Sequence, residues 1–210
     1  MARLQVPPTR SNLIAIKHSL KLAQQGHELL NKKRDVLMME IMRVIADADE
    51  VQKQVNAGFE RAYTSIEETR VALGTERVRR MALSSDREID MRVTPRSIMG
   101  VVVPSVSFDL PEPRPKYGFG NSSVVLDESQ RSWSDVLALM GPLAEKVTTV
   151  WRLAVELQRT QRRVNALENV FIPSYEETLR YIEDSLAEKD REELFRAKRA
   201  KARLQARTVG

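Results

Sequence analysis

From about Thr9 to Gly74, apolar residues recur in alternating steps of three and four. One set of positions reads Leu13, Leu20, His27, Arg34, Ile41, Ala48, Val55, Ala62 and Thr69. The other reads Ile16, Ala23, Leu30, Leu37, Val44, Val51, Gly58, Ser65 and Ala72. Thirteen of these eighteen positions are apolar. That spacing, held over nine heptads, predicts one strand of a coiled coil. Pro7 and Pro8 stand before it, Thr9 or Ser11 can cap it, and no proline follows until Pro95. A helix of this length spans roughly 95 Å, which no small globule can enclose.

A second periodic stretch runs from about Ser134 to Arg203. Its core candidates are Val136, Leu139, Leu143, Val147, Val150, Leu153, Leu157, Val164, Leu167, Phe171, Tyr175, Leu179, Ile182 and Leu186. The step becomes 4-4 across Phe171, Tyr175 and Leu179, beside Ile172-Pro173. Proline removes a backbone donor and crowds the preceding turn, so a kink is expected at Pro173. The four-residue shift also unwinds the supercoil locally. Gly141-Pro142 marks a second bend, or a fresh helix start with Pro142 in the first position.

Thr9 to Gly74 and Pro142 to Arg207 each contain 66 residues. An antiparallel hairpin within one chain accounts for this match. A parallel homodimer buries the same seams but leaves the equal lengths unexplained. The expected fold is therefore mainly α: a long antiparallel two-helix coiled coil from the terminal segments. Residues 1–74 form the N-terminal helix and residues 134–210 the C-terminal helix with its basic end. Between them, residues 75–133 hold five prolines and three glycines. Here Ile89 to Val93 alternates, and Ile98 to Val103 and Val106 to Phe108 read as strands. A small β-hairpin or a three-strand element follows from that. Residues 110–123 read as an exposed loop in which Tyr117 and Phe119, beside Lys116, either dock a partner or pack locally.

Charged residues are 30% of the chain and aromatics 5%, which suits long solvated helices. The absence of cysteine rules out disulfides and thiolate metal sites. The first residues carry no apolar leader, and Ile98 to Val103 is too short to span a bilayer. A cytoplasmic chain without direct membrane insertion is expected. The net charge of +5 is uneven: Arg196, Lys198, Arg199, Lys201, Arg203 and Arg207 give the end +6, so the rest sums to −1. Such an arm seeks nucleic acid, anionic lipid or an acidic protein surface, or is a solvated helix end whose cations suit the negative pole of the dipole. Phe195 is its one aromatic, so base stacking is poorly served and no nucleic-acid partner is expected.

No catalytic constellation emerges. There is no phosphate-cradling glycine loop and no HExxH. His18 and His27 are the only histidines, and the carboxylates fall beside lysines and arginines on polar faces. No cofactor, metal or catalytic residue is expected. The informative oddities are charges on the seam. Lys33-Arg34-Asp35 puts Arg34 at a core position, and Arg162-Arg163 flanks the core residue Val164. Either these arginines snorkel outward and fix register, or they line a waist that touches another protein.

The same stretches resemble a known family. Pro8-Thr9-Arg10, Gly26-His27-Glu28-Leu29-Leu30 and Lys33-Arg34-Asp35 are similar to the opening of the D subunit of V-type and archaeal-type rotary ATPases. Arg162 to Glu168, reading RRVNALE, followed by Ile172-Pro173, resembles that family's second signature, and Glu192 to Lys201 its closing helix. The resemblance implies a non-catalytic central-stalk rotor, transmitting torque between nucleotide chemistry and the H⁺- or Na⁺-translocating ring. The implied partners are a hexamer of catalytic A and B subunits, the small F subunit of the central stalk and a funnel-shaped subunit on the membrane ring. Hexamer contacts are expected from Lys33, Arg34, Asp35, Arg162, Arg163, Asn165, Glu168, Arg196, Lys198 and Arg199, with the kink at Pro173 making the shaft a cam. A free-standing coiled-coil scaffold with a basic tail is the alternative.

Overall fold

Thr9 opens the first helix, α1 (Arg10–Leu73). Its hydroxyl accepts the Asn12 backbone N–H at 3.2 Å, and the Asn12 amide returns to the Pro7 carbonyl at 2.8 Å. One otherwise orphaned donor of the first turn is thereby satisfied. No proline lies in the 64 residues of the helix. Gly74 ends it at φ 80°, a left-handed conformation that a Cβ would strain. In the computed structural model, residues 4–84, 90–109 and 123–208 are described, with only the backbone for 84, 90, 108, 109 and 203–208.

The other elements are α2 (Thr75–Ser84), β1 (Asp90–Ile98), β2 (Val101–Asp109), α3 (Val124–Ala166), a π turn (Leu167–Phe171) and α4 (Ile172–Thr208). They group into two compact units. Unit 1 is Met1–Asp35 with Gln158–Gly210, and unit 2 is Val36–Leu157; α1 contributes to both.

In unit 1, α1 pairs with α4. Arg10 reaches Asp190 at 3.2 Å and Lys17 reaches Glu183 at 2.8 Å. Seven residues forward on one helix are seven back on the other, so the pair is antiparallel. The segment before α1 is tied to the same partner: the Leu4 N–H donates to the Thr178 hydroxyl at 3.1 Å, and Lys189 donates to the Pro8 carbonyl at 3.4 Å. In unit 2, α1 pairs with α3. Asp47 meets Lys146 at 3.3 Å, Gly58 lies against Val136, and the Thr69 hydroxyl donates to the Val125 carbonyl at 3.1 Å. Steps of eleven on α1 match steps of ten and eleven back on α3. The chain thus pairs with itself, and the seam needs no second copy.

Every predicted α1 seam position except Ala72 is buried or half-buried. Leu37, Ile41 and Leu153 form the core of unit 2, with Ile98, Val101 and Leu157 packed on them. On the returning strand two expectations fail: Val147 and Phe171 are exposed. Thr149, not Val147, is buried in phase with Leu153, so a choice made on apolarity alone selects the wrong residue. Phe171 is displaced by the π turn. The wider turn shifts the inward face, and Ser174, Thr178 and Ile182 are buried instead. The hydroxyls of Ser174 and Thr178 donate to the Val170 and Ser174 carbonyls, both at 2.6 Å, so they enter the seam without a hydrogen-bond deficit.

Gly141-Pro142 does not break the chain. α3 begins at Val124, ten residues before the expected start, and runs through Pro142. Proline leaves the Ala138 carbonyl without its donor, but both residues are exposed and water can serve it. Gly141 carries no Cβ to clash with the proline ring. Helix is also found where only loop or strand was expected, over Thr75–Ser84.

The middle of the chain yields a two-stranded antiparallel hairpin. Its turn falls at Met99 and Gly100, with φ of 51° and 81°, the geometry that matches strand twist in two-residue loops. That turn splits the apolar run Ile98 to Val103. Pro95 sits opposite Pro104. Counting from the closing pair, this is a non-hydrogen-bonded pair, so no ladder bond is lost. The outer side of β2 is held by α3: Arg152 donates to the Val102 carbonyl at 2.8 Å, and Glu145 accepts the Val106 N–H at 2.7 Å. These two residues stand seven apart on one face of α3 and occupy edge groups that would otherwise invite another strand.

Two outcomes test this packing. A Cβ at Gly58 would stand 3.0 Å from Val136 Cγ2, so Gly58→Leu is expected to cost about 1–3 kcal/mol in chemical denaturation; an unchanged midpoint would refute the close approach. Glu145→Ala should speed hydrogen exchange at Val106 about tenfold or more, leaving the Leu37 amide unaffected.

Candidate partner-contact site

The charges singled out from sequence lie in unit 1. His27 Nε2 is 3.8 Å from Glu168, which lies in the π turn. Six residues further along α1 and six back along α3, Lys33 and Arg162 come level. Lys33-Arg34-Asp35 and Arg162-Arg163 are therefore brought to one height on neighbouring helices, as a belt of four cations and one acid. Arg162, Arg163, Asn165 and Glu168 lie on the outer side of this pair.

Arg34 shows how a charge survives at a seam position. Its side chain is only 33% exposed, yet the guanidinium donates to Asp35 at 2.8 and 3.0 Å. The stem lies along the seam while the charge reaches water. Asn165 accepts from Gln161 at 2.8 Å. Beside the belt, the Asn31 amide nitrogen lies 3.2 Å from His27 Nε2. Lys32, hydrogen-bonded to Glu28 at 2.7 Å, holds the Glu28 carboxyl below the usual carboxylate range. Asp49 likewise holds the exposed Lys53 ammonium above its ordinary value. These are exposed pairs and add little to stability.

Pro173 is half-buried in the first turn of α4. Directly before it, the Ile172 N–H donates to the Leu167 carbonyl, five residues back. A regular turn would press the proline ring on the Asn169 carbonyl; the widened turn relieves that and turns Val170 and Phe171 outward.

Arg196, Lys198 and Arg199 lie on the last part of α4. The Arg10–Asp190 pair marks where α1 begins, and every residue from 187 to 202 is exposed. Arg196 pairs with Glu192 at 3.4 Å. Leu194 and Phe195 are 62% and 75% exposed on this stretch. Tyr117 and Phe119 lie outside the described residues.

Sequence reasoning missed an apolar surface in unit 2. Met38, Met42 and Ile45 recur at helical spacing on α1 and are exposed, as are Val147 and Trp151 on α3. A shallow groove of about 300 Å³ joins Ile45 and Ala48 to Leu143, Val147 and Val150. The signal was present as apolar residues at non-seam positions, above all Met38, Met39 and Met42. A second cleft of about 310 Å³ is lined by Phe59, Trp133, Val136, Leu137 and Met140. There the Tyr63 and Trp133 rings meet edge to face at 5.3 Å.

Among the described residues there is no cluster of side chains able to hold a metal ion, and no helix long and apolar enough to cross a membrane. What the surface offers is contact chemistry: a cationic belt, a basic helix end that runs on past the start of α1 and an apolar strip.

Comparison with known proteins agrees over nearly the full length. The family model described as the ATP synthase D subunit matches residues 12–202. The V-type ATP synthase D subunit of Thermotoga neapolitana is 39% identical over 201 residues, covering 96% of this chain and 99% of that protein. The A-type ATP synthase D subunit of Thermococcus sibiricus is 36% identical over 210 residues, covering 99% and 98%. That of Methanopyrus kandleri is 38% identical over 198 residues, covering 93% and 85%. With the antiparallel helix pair, the central hairpin and these matches together, the chain belongs to the D-subunit family of V-type and A-type ATP synthases.

Proposed function

We propose that the chain is the rotor shaft of such a complex, carrying torque between a nucleotide-binding hexamer of A and B subunits and an ion-translocating membrane ring, with no chemistry of its own. The observation that carries this reading is the end of unit 1. There two helices are zipped antiparallel by Arg10–Asp190 and Lys17–Glu183, and α4 then continues past the start of α1 with Leu194 and Phe195 exposed among cations. Beyond Asp190 the helix has no packing partner among the described residues. Its apolar side chains are best accounted for by insertion into a surrounding partner.

Torque transfer needs a rod that resists shear. Crossing ion pairs and a packed seam supply that by tying the helices at fixed register. It also needs contacts that can be left and remade at each step. Exposed ion pairs suit this, since each contributes about 0–1 kcal/mol. In this reading Lys33, Arg34, Arg162 and Arg163 meet acidic loops of the hexamer, as do Arg196, Lys198 and Arg199, while Asp35, Asn165 and Glu168 orient the cations. The π turn and Pro173 bend the shaft, so that each catalytic interface meets a different face.

The apolar strip of unit 2 serves a partner that stays put. Met42 and Ile45 with Val147 and Trp151 offer burial worth about 25 cal/mol per Å², a permanent rather than a stepping contact. We assign this strip to the small F subunit of the stalk, and the end of unit 2 beyond Phe59 and Trp133 to the funnel-shaped subunit on the ring.

Three measurements test the reading. The chain should co-purify stoichiometrically with a nucleotide-binding hexamer; elution alone, or with a non-nucleotide partner, would favour the free-standing scaffold. The double reversal Arg162→Glu, Arg163→Glu should slow ATP-driven rotation by up to about fivefold per charge, more strongly at low salt; an unchanged rate would remove the belt from the contact. Trp151→Ala should release the small stalk partner while leaving the hexamer bound, read by native mass spectrometry; retention of both would refute the strip's assignment.

A further inference from the structure

Gly26 sits inside α1 with no structural need to be glycine. Its backbone is ordinary helix, and a Cβ built on it would meet nothing within 4 Å. Gly58, by contrast, is pressed by Val136, and Gly74 and Gly100 hold positive φ. Glycine is the poorest helix former after proline, so something outside the fold must account for its presence.

Its surroundings supply the account. Leu22, four residues before, and Leu29, three after, lie on the same helical face. They are 54% and 66% exposed. Ala15, seven residues before Leu22, continues the stripe and is exposed too. The buried seam of α1 takes other positions, among them Ile16 and Leu37, so this is a separate line of apolar side chains interrupted by one gap. His18 and Lys33 fall on that face as well, while Glu28 lies about 100° round the helix from Leu29 and is paired with Lys32.

We propose that Leu22, Gly26 and Leu29 form a notch that receives an apolar side chain from an acidic-rimmed loop of the surrounding hexamer. This rests on the shaft reading given above and deepens it by naming a contact residue. The two leucines make the walls, the missing Cβ makes the floor, and the cationic face selects a partner bearing carboxylates. A single shallow socket guides the partner at a set height on the shaft without the broad burial that would hold it there.

The test separates stability from binding. The full-length chain is titrated into purified catalytic hexamer by calorimetry, and its melting is followed by circular dichroism. Gly26→Ala should raise Tm by about 2–4 °C while weakening binding several-fold, and Gly26→Leu should weaken it tenfold or more with helicity retained. Leu29→Ala should weaken binding without lowering Tm. Wild-type affinity in Gly26→Leu overturns the notch while leaving the shaft reading intact. Failure of the wild-type chain itself to bind the hexamer overturns both. A free chain that sediments as a dimer and becomes a monomer in Gly26→Leu assigns the notch to a second copy and also overturns the proposal.

Discussion

The structure depends on one constraint: α1 must bury an apolar stripe along 64 residues. It does so by meeting the rest of its own chain running the other way. Each unit solves the problem separately. In unit 1 the partner is α4, pinned by pairs at Asp190 and Glu183; in unit 2 it is α3, pinned at Lys146, Val136 and Val125. Everything else follows from that seam. The hairpin finds a place because Leu37, Ile41 and Leu153 leave room for Ile98 and Val101 on one side. The charges that cannot enter the seam are left on the surface.

Much of this was legible in the residues. The 3-4 spacing on α1 is read correctly almost position by position, because deep burial punishes polar residues and leaves a periodic record. The antiparallel return was expected from equal segment lengths, but the stretch that pairs with α1 runs from Val125 to Asp190 rather than from Pro142 to Arg207. The hairpin was legible in its alternation, though its turn at Met99-Gly100 was hidden inside an apolar run. The returning strand was harder. Its seam admits Thr149, Thr160, Ser174 and Thr178. Ser174 and Thr178 bond to the preceding turn, so hydropathy alone misplaces the face. The π turn adds a local phase shift that no heptad count anticipates. Pro142 reads as punctuation, yet an exposed proline after glycine costs little where water reaches the orphaned carbonyl.

The candidate surface was legible in part, and for a physical reason. Charges on a seam stand out because they break a pattern, so Arg34 and the Arg162–Arg163 step could be found. Apolar residues outside a seam break no rule taken singly, since much of any protein surface is apolar. Only their grouping carries meaning, and Met42, Ile45, Val147 and Trp151 come together only once two helices are placed side by side. In the proposed reading the two kinds of surface differ in strength: weak exposed charges where contact is renewed, apolar area where it lasts.

The central claim is that this chain turns within its complex. Because it contains no cysteine, a single thiol introduced by Arg96→Cys on the exposed hairpin can carry a gold particle, with the hexamer fixed to glass. The account predicts that ATP drives steady rotation of the particle in one sense, halting when nucleotide is removed. A particle that stays still while the immobilised hexamer hydrolyses ATP would contradict it.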